Sequence, residues 1–280
     1  MGMSSRELLV RCILIFRPRR IMGVQPPDGS DTRLRELQSE GITHFPSILS
    51  ATQALDLRNY FSAKMVCDTY RAEHGSFLPD SAQRHPDSHT AHHNARDVVM
   101  APYLYALAND PRLIDLAGRF LECNPTLGYI AAWWSYATAL GAQHAEFFHR
   151  DVDDLRFLKF FIYLTDVTPR DGPHFYVTKS AQSSKLRRID RFRDSEVSAQ
   201  FEAGTVLQLT GKAGDGFVEN TFGLHKGQPV VAGPRLIFQA VYSMSPLPYG
   251  PLQPVVELSE LAAVHAVKLD PWTNRLYVRA

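Results

Sequence analysis

The chain has 280 residues, 45% hydrophobic and 21% charged, so a substantial core is available and the values are ordinary for a globular protein. With 30 basic and 29 acidic residues the formal charge is +1, which gives no reason to expect nucleic acid, whose binding rests on a dense basic surface. Three cysteines, Cys12, Cys67 and Cys123, are widely spaced and form no CxxC pattern, which fits a reducing, cytoplasmic setting.

Leu8 to Phe16 is apolar except for Arg11 and runs into Arg17, Arg19 and Arg20. It is too short for a membrane-spanning helix, which needs roughly 20 apolar residues, and it lacks the small-residue end of a secretory signal. Two readings stay open for residues 6–20. They form a basic amphipathic helix lying on the inner face of a membrane or on a partner, or a helix packed on its own domain or in an oligomer contact. QPPDGS, Gln25 to Ser30, reads as a linker. The chain therefore divides into an extension and linker over 1–29, a main domain over 30–258, and a C-terminal extension over 259–280 packed on that domain.

Asp31 or Thr32 can cap a helix over Leu34 and Leu37 that Gly41 stops, and GITHFPSIL then reads as a short strand. Ser50 caps a second helix through Ala54, Leu57 and Phe61. Residues 72–96 are polar and rich in His, Pro, Asp and Ser, the pattern of a long surface loop. Pro111 can open a further helix. From Thr126 onward six strand patterns follow, separated by Gly, Pro and Asp. Helices first and strands after argue for an α+β chain with a mainly β core, ending in an antiparallel barrel or jelly roll.

His149-Arg150-Asp151 carries the chemistry. In an extended chain residues i and i+2 share a face, so one imidazole and one carboxylate converge. They supply two thirds of the facial triad that holds non-haem Fe(II) and leaves positions open. The third ligand has to be a distant His, and His225 is the candidate. Ten residues beyond it Arg235 opens a strand on whose face Ile237, Gln239, Val241 and Ser243 also lie. An arginine there is best explained by a carboxylate that it clamps. In the strand after Asp151, Leu158, Phe160, Ile162 and Leu164 form an apolar face for the core. Lys159 and Tyr163 share the other face and would look into the metal cavity. His85-Pro86-Asp87 is a second His-x-Asp, but its proline and polar flanks leave no strand to fix it.

Three blocks carry a resemblance: LQSEGITHFPSILSATQALDLR, FHRDVDDLRFLKFFIYLTDVTPRDGPHFYVTKS and TFGLHKGQPVVAGPR. The chain resembles the phytanoyl-CoA dioxygenase-like family of Fe(II)/2-oxoglutarate oxygenases. The resemblance implies a double-stranded β-helix, a jelly roll flanked by helices. It implies iron on His149, Asp151 and His225, with 2-oxoglutarate and O₂ at the open positions. Arg235 would bind the cosubstrate's distal carboxylate, helped by Lys159 or Tyr163. The implied reaction hydroxylates a C–H bond and releases succinate and CO₂, and retention of Asp151 favours it over halogenation. Where many members read Pro-Gly-Ser-His, this chain has Thr178-Lys179-Ser180-Ala181.

The expected substrate is a small molecule or a sugar- or lipid-linked compound such as a glycolipid. Trp134, Tyr136, Arg150, Gln239, His93 and Arg96 are the pocket candidates. Two rivals come from other classes, a zinc hydrolase using the same ligands with Glu146 as its base, and a non-catalytic jelly-roll binding protein.

Overall fold

The computed structural model describes residues 5–17 and 28–279. Among them the strands are β1 (Ile42–Phe45), β2 (Val66–Cys67), β3 (Ser76–Phe77), β4 (Thr90–His93), β5 (Thr126–Ser135), β6 (Phe157–Tyr163) and β7 (His174–Val177). They continue with β8 (Val206–Leu209), β9 (Gly216–Glu219), β10 (His225–Gly227), β11 (Arg235–Ser243), β12 (Val256–Glu257) and β13 (Val278–Arg279). An antiparallel sheet runs in the order β1-β9-β6-β11-β5-β4-β2-β3, and a second runs β10-β7-β8. The two face each other as a double-stranded β-helix, and helices cover the outside of the larger sheet. The fold is the expected α+β jelly roll.

The split of faces along β6 explains the layers. All seven of its residues are buried, so both faces of the strand are covered, and Lys159 is its one charged residue. Leu158, Phe160, Ile162 and Leu164 enter the large core beneath the helices, as their shared parity requires. Phe161 and Tyr163 point the other way, into a smaller cluster with Ile42, Tyr176, Leu209, Phe217 and Ile237 drawn from both sheets.

Ser50 caps the helix Ala51–Ser62 with a full capping box, and Pro111 opens the helix Pro111–Leu121, both as the sequence implies. The helix Ser30–Ser39 starts earlier than the predicted cap at Asp31 or Thr32. Gly29 precedes it, and Ser30 turns inward to donate to the buried Asp115 carboxylate. At the N-terminus, Val10 of the helix Ser5–Leu14 is buried in the main core and Arg17 Nη2 donates to Ser245 Oγ at 2.8 Å. This segment packs on its own domain. No helix among the described residues is long and apolar enough to cross a membrane. The linker residues 25–27 and the basic residues 18–20 lie outside the described residues. The C-terminal segment is tied to the large sheet, where Ile130 N donates to Tyr277 Oη at 2.8 Å.

Residues 72–96 are not a surface loop throughout. Thr90–His93 forms β4 and pairs with both β2 and β5, and Ser88, His89, Thr90 and His93 are buried. Strand pairing satisfies the backbone there, which a polar composition alone did not announce. The strand β9 also escaped the pattern, because only four residues separate the Gly214-Asp215 turn from Asn220.

Two glycines converge on the buried Tyr176, whose Oη donates to Asn220 O at 3.0 Å. Gly41 ends a helix at φ +87°, and a Cβ at Gly41 or at Gly223 would overlap the Tyr176 hydroxyl. Gly41→Ala therefore adds left-handed strain to a clash, and a loss of about 2–3 kcal/mol is expected in urea unfolding. An unchanged midpoint would show that Tyr176 yields freely.

Candidate metal centre

The ligand residues meet because the backbone joins their segments. His149 and His225 exchange two backbone hydrogen bonds, each 3.0 Å, as an antiparallel bridge beside β10, and Asp151 N donates to Thr221 O at 2.9 Å. His149 and Asp151 flank Arg150 in extended chain, so both face inward. His149 Nε2 lies 3.5 Å from Asp151 Oδ1, and His225 Nε2 lies 3.1 Å from Asp151 Oδ2. One ligand atom from each of the three lies within 4.8 Å of the others. Ligands at right angles around a first-row metal, with bonds near 2.1 Å, sit roughly 3 Å apart. The cluster has the right size for one ion.

Neighbours fix how each ligand points. Nδ1 of His149 donates to Phe147 O at 2.9 Å and Nδ1 of His225 to Gly223 O at 3.0 Å, which leaves both Nε2 atoms for a metal. Burial pushes His149 down to about 3, with His225 adding to the effect, so its imidazole is neutral and able to ligate. Burial opposes the charge on Asp151, yet Lys159, His225 and His149 outweigh it and hold the carboxyl well below its usual range. For His225 the same carboxylate outweighs burial and raises the imidazole.

Lys159 reaches Asp151 Oδ2 at 2.7 Å and Asp153 Oδ2 at 2.8 Å. Burial opposes its charge, but the two carboxylates outweigh this and keep the ammonium protonated. The expectation for Lys159 was a share in the cosubstrate's far carboxylate, and in the structure its ammonium is paired with these two carboxylates. It lines the cavity but is held by the metal ligand itself.

The cluster opens into a cavity of about 300 Å³ whose lining includes Arg235, Ser135, Gln239, Trp133, His92 and His174. Arg235 is buried, its Nη2 donates to Ser135 Oγ at 2.9 Å, and its Nε is buried without a partner. No carboxylate among the described residues is within ion-pair distance of it. Burial pulls its pKa down while Tyr163 and Glu146 oppose that, and the group stays a cation. A buried guanidinium without a counter-ion calls for an anionic ligand.

Several candidate residues lie elsewhere. Trp134 and Tyr136 are buried in the outer core, because β5 pairs Ser135 with Arg235 and Trp133 with Ile237, which turns the odd positions inward. Trp133 takes the cavity position and stacks on His92, with ring centroids 5.3 Å apart. His93 has the opposite parity from His92 and packs on Phe61 at 4.5 Å. Arg96 pairs with Glu260 at 2.8 Å on the surface. Tyr163 is in the inner cluster with its hydroxyl consumed, donating to Leu209 O at 2.8 Å and accepting from His174 N at 3.0 Å. Arg150 points away from the cavity, as the residue between two ligands must. Its guanidinium donates to the carbonyls of Ser180, Lys185, Leu186 and Phe222, the last next to the Gly223 that orients His225. Gln239 does line the cavity.

Sequence reasoning passed over Ser135, His174 and Glu219. Ser135 could have been found only from the register against Arg235. His174 follows a short turn and Glu219 ends a four-residue strand, and neither is part of a ligand pattern.

No protein-family model and no curated protein matches the chain. Solved structures do resemble it. HygX from Streptomyces hygroscopicus, with nickel and 2-oxoglutarate bound, superposes with TM-score 0.54 at 16% identity over 85% of this chain and 96% of that one. The epimerase SnoN, in complex with Fe3+, alpha ketoglutarate and nogalamycin RO, gives 0.56 at 16% identity over 91% and 97%. SnoK, a non-heme alpha ketoglutarate dependent carbocyclase from nogalamycin biosynthesis, gives 0.52 at 18% over 78% and 87%. The likeness is one of fold. This chain covers nearly the whole of each neighbour, and the jelly roll accounts for the match.

Lys159→Met leaves the half-buried Asp151 and Asp153 without their cation, and a loss of about 3 kcal/mol in the metal-free protein is expected from urea unfolding. Lys159→Arg should lose less. Equal stability of Lys159→Met and the parent would show that the ammonium does not hold the carboxylates.

Proposed function

We propose that the chain is an Fe(II)- and 2-oxoglutarate-dependent dioxygenase that hydroxylates an unactivated C–H bond of a small molecule, releasing succinate and CO₂. The observation that carries this reading is the buried Arg235, uncompensated, in the same cavity as two imidazoles and a carboxylate. Two His and one Asp on one side of an ion suit Fe(II) and leave positions open. Arg235 and Ser135 suit the far carboxylate of a dicarboxylic 2-oxo acid, by a bidentate hydrogen bond of the kind that favours arginine over lysine. A zinc hydrolase has no use for that cation.

Bound iron and 2-oxoglutarate together supply oxidative decarboxylation and an oxidant able to take hydrogen from carbon. The chain's own residues bind and orient. His149 and His225 present Nε2, Lys159 holds Asp151 in one rotamer, and Arg235 anchors the cosubstrate. Tyr70, His89, Tyr129 and Trp133 line the rest of the cavity and offer ring faces to an apolar or sugar ring. HygX has been solved with hygromycin B and SnoN with nogalamycin RO, so the fold accommodates small molecules. The three sequence blocks resembling the phytanoyl-CoA dioxygenase-like family point the same way, and Asp151 favours hydroxylation.

Succinate release that requires both Fe(II) and O₂, and that Zn(II) does not support, is the expected result. Release of no succinate by iron-loaded protein across a panel of ring-bearing substrates would reject the reading. Arg235→Met should raise the 2-oxoglutarate concentration needed for half-maximal succinate release on the order of 100-fold while Fe(II) affinity stays nearly constant. An unmoved requirement would take the cosubstrate away from Arg235.

A further inference from the structure

His174 opens β7 directly after the Gly172-Pro173 turn, and its Nε2 lies 3.0 Å from Glu219 Oε2. Glu219 is fully buried at the end of β9, opposite Lys159 of β6, and its Oε1 has no hydrogen-bond partner. A core carboxyl with a single polar contact is costly, so packing does not account for it. The imidazole is held on several sides. It stacks on His225, with ring centroids 5.6 Å apart and planes 16° from parallel, and touches Phe161 at 5.1 Å and Phe217 at 5.4 Å.

With Nε2 committed to Glu219, Nδ1 is the ring nitrogen left for the cavity that His174 lines. Across the β10–β7 pair His174 faces Gly227, where a Cβ would come within 3.8 Å of Arg235 Nη2. His174 thus stands on the wall between His225 and Arg235. When Nε2 accepts from the Glu219 carboxyl, the ring hydrogen sits on Nδ1, which can then donate to an anionic oxygen in the cavity.

We infer that His174, oriented by Glu219, donates a hydrogen bond from Nδ1 to the 2-oxo acid lying between the metal cluster and Arg235. His174 is then a cosubstrate-binding residue and Glu219 its positioning residue. The inference rests on the oxygenase reading.

Calorimetric titration of 2-oxoglutarate into the full-length Mn(II)-loaded protein tests it without turnover. His174→Phe should weaken binding about tenfold, the scale of one hydrogen bond to a charged group, with Mn(II) affinity unmoved. Glu219→Met should match that loss, and the double variant should lose no more than either alone, because all three remove the same contact. Glu219→Gln can still donate to Nε2 and should stay close to the parent. A merely structural role would lower the melting temperature and leave 2-oxoglutarate affinity of the folded protein alone. Should Glu219→Met not fold, His174→Phe and Glu219→Gln decide. Parent-like binding by His174→Phe overturns the inference and spares the oxygenase reading. Absence of binding to the metal-loaded parent overturns both.

Discussion

Two backbone hydrogen bonds between His149 and His225 hold the site together. They belong to the smaller sheet's edge rather than to any side chain, and they bring one ligand-bearing segment alongside another that is distant in sequence. Once that bridge forms, the two-residue repeat of extended chain places Asp151 beside both imidazoles with no further device. The carbonyls that fix the rings, Phe147 O and Gly223 O, each lie two residues before the histidine they orient. Ligand geometry is therefore a local consequence of strand geometry. Arg150 reinforces it from behind by gathering four carbonyls, including that of Phe222.

Electrostatics give the cavity its direction. Lys159 and Arg235 carry positive charge, and Asp151 and Asp153 carry negative charge, but the pairs are not evenly arranged. Lys159 takes both carboxylates and Arg235 has neither. One end of the cavity is balanced around a prospective ion and the other is a bare cation. A dication together with a dianionic acid would leave the assembly neutral, with each charge next to its opposite. The hydrogen-bonded His174–Glu219 pair stands on the wall between these ends.

Much of this was readable from residue order, and the limits are specific. The two faces of β6 follow from the alternation of Leu158, Phe160 and Ile162 with Lys159, Phe161 and Tyr163, and the structure keeps that division. The His-x-Asp pair and Arg235 stood out because few other roles suit those residue types on buried strands. Choosing between Trp133 and Trp134 needed the register of β5 against β11, which the apolar run Tyr129 to Trp134, ending in two tryptophans, does not encode. The same applies to His92 and His93, adjacent residues on opposite faces of a strand hidden in polar sequence. Lys159 was placed on the correct face, but its partner Asp153 sits in a turn whose shape only coordinates reveal. Tertiary pairing, not local propensity, decided each of these cases.

The most direct measurement is the visible absorption spectrum of anaerobic protein mixed with Fe(II) and then with 2-oxoglutarate. Chelation of the 2-oxo acid at iron held by His149, Asp151 and His225 predicts a weak metal-to-ligand charge-transfer band that Asp151→Ala lacks. Protein that binds Fe(II) yet shows no such band at saturating 2-oxoglutarate would contradict the account.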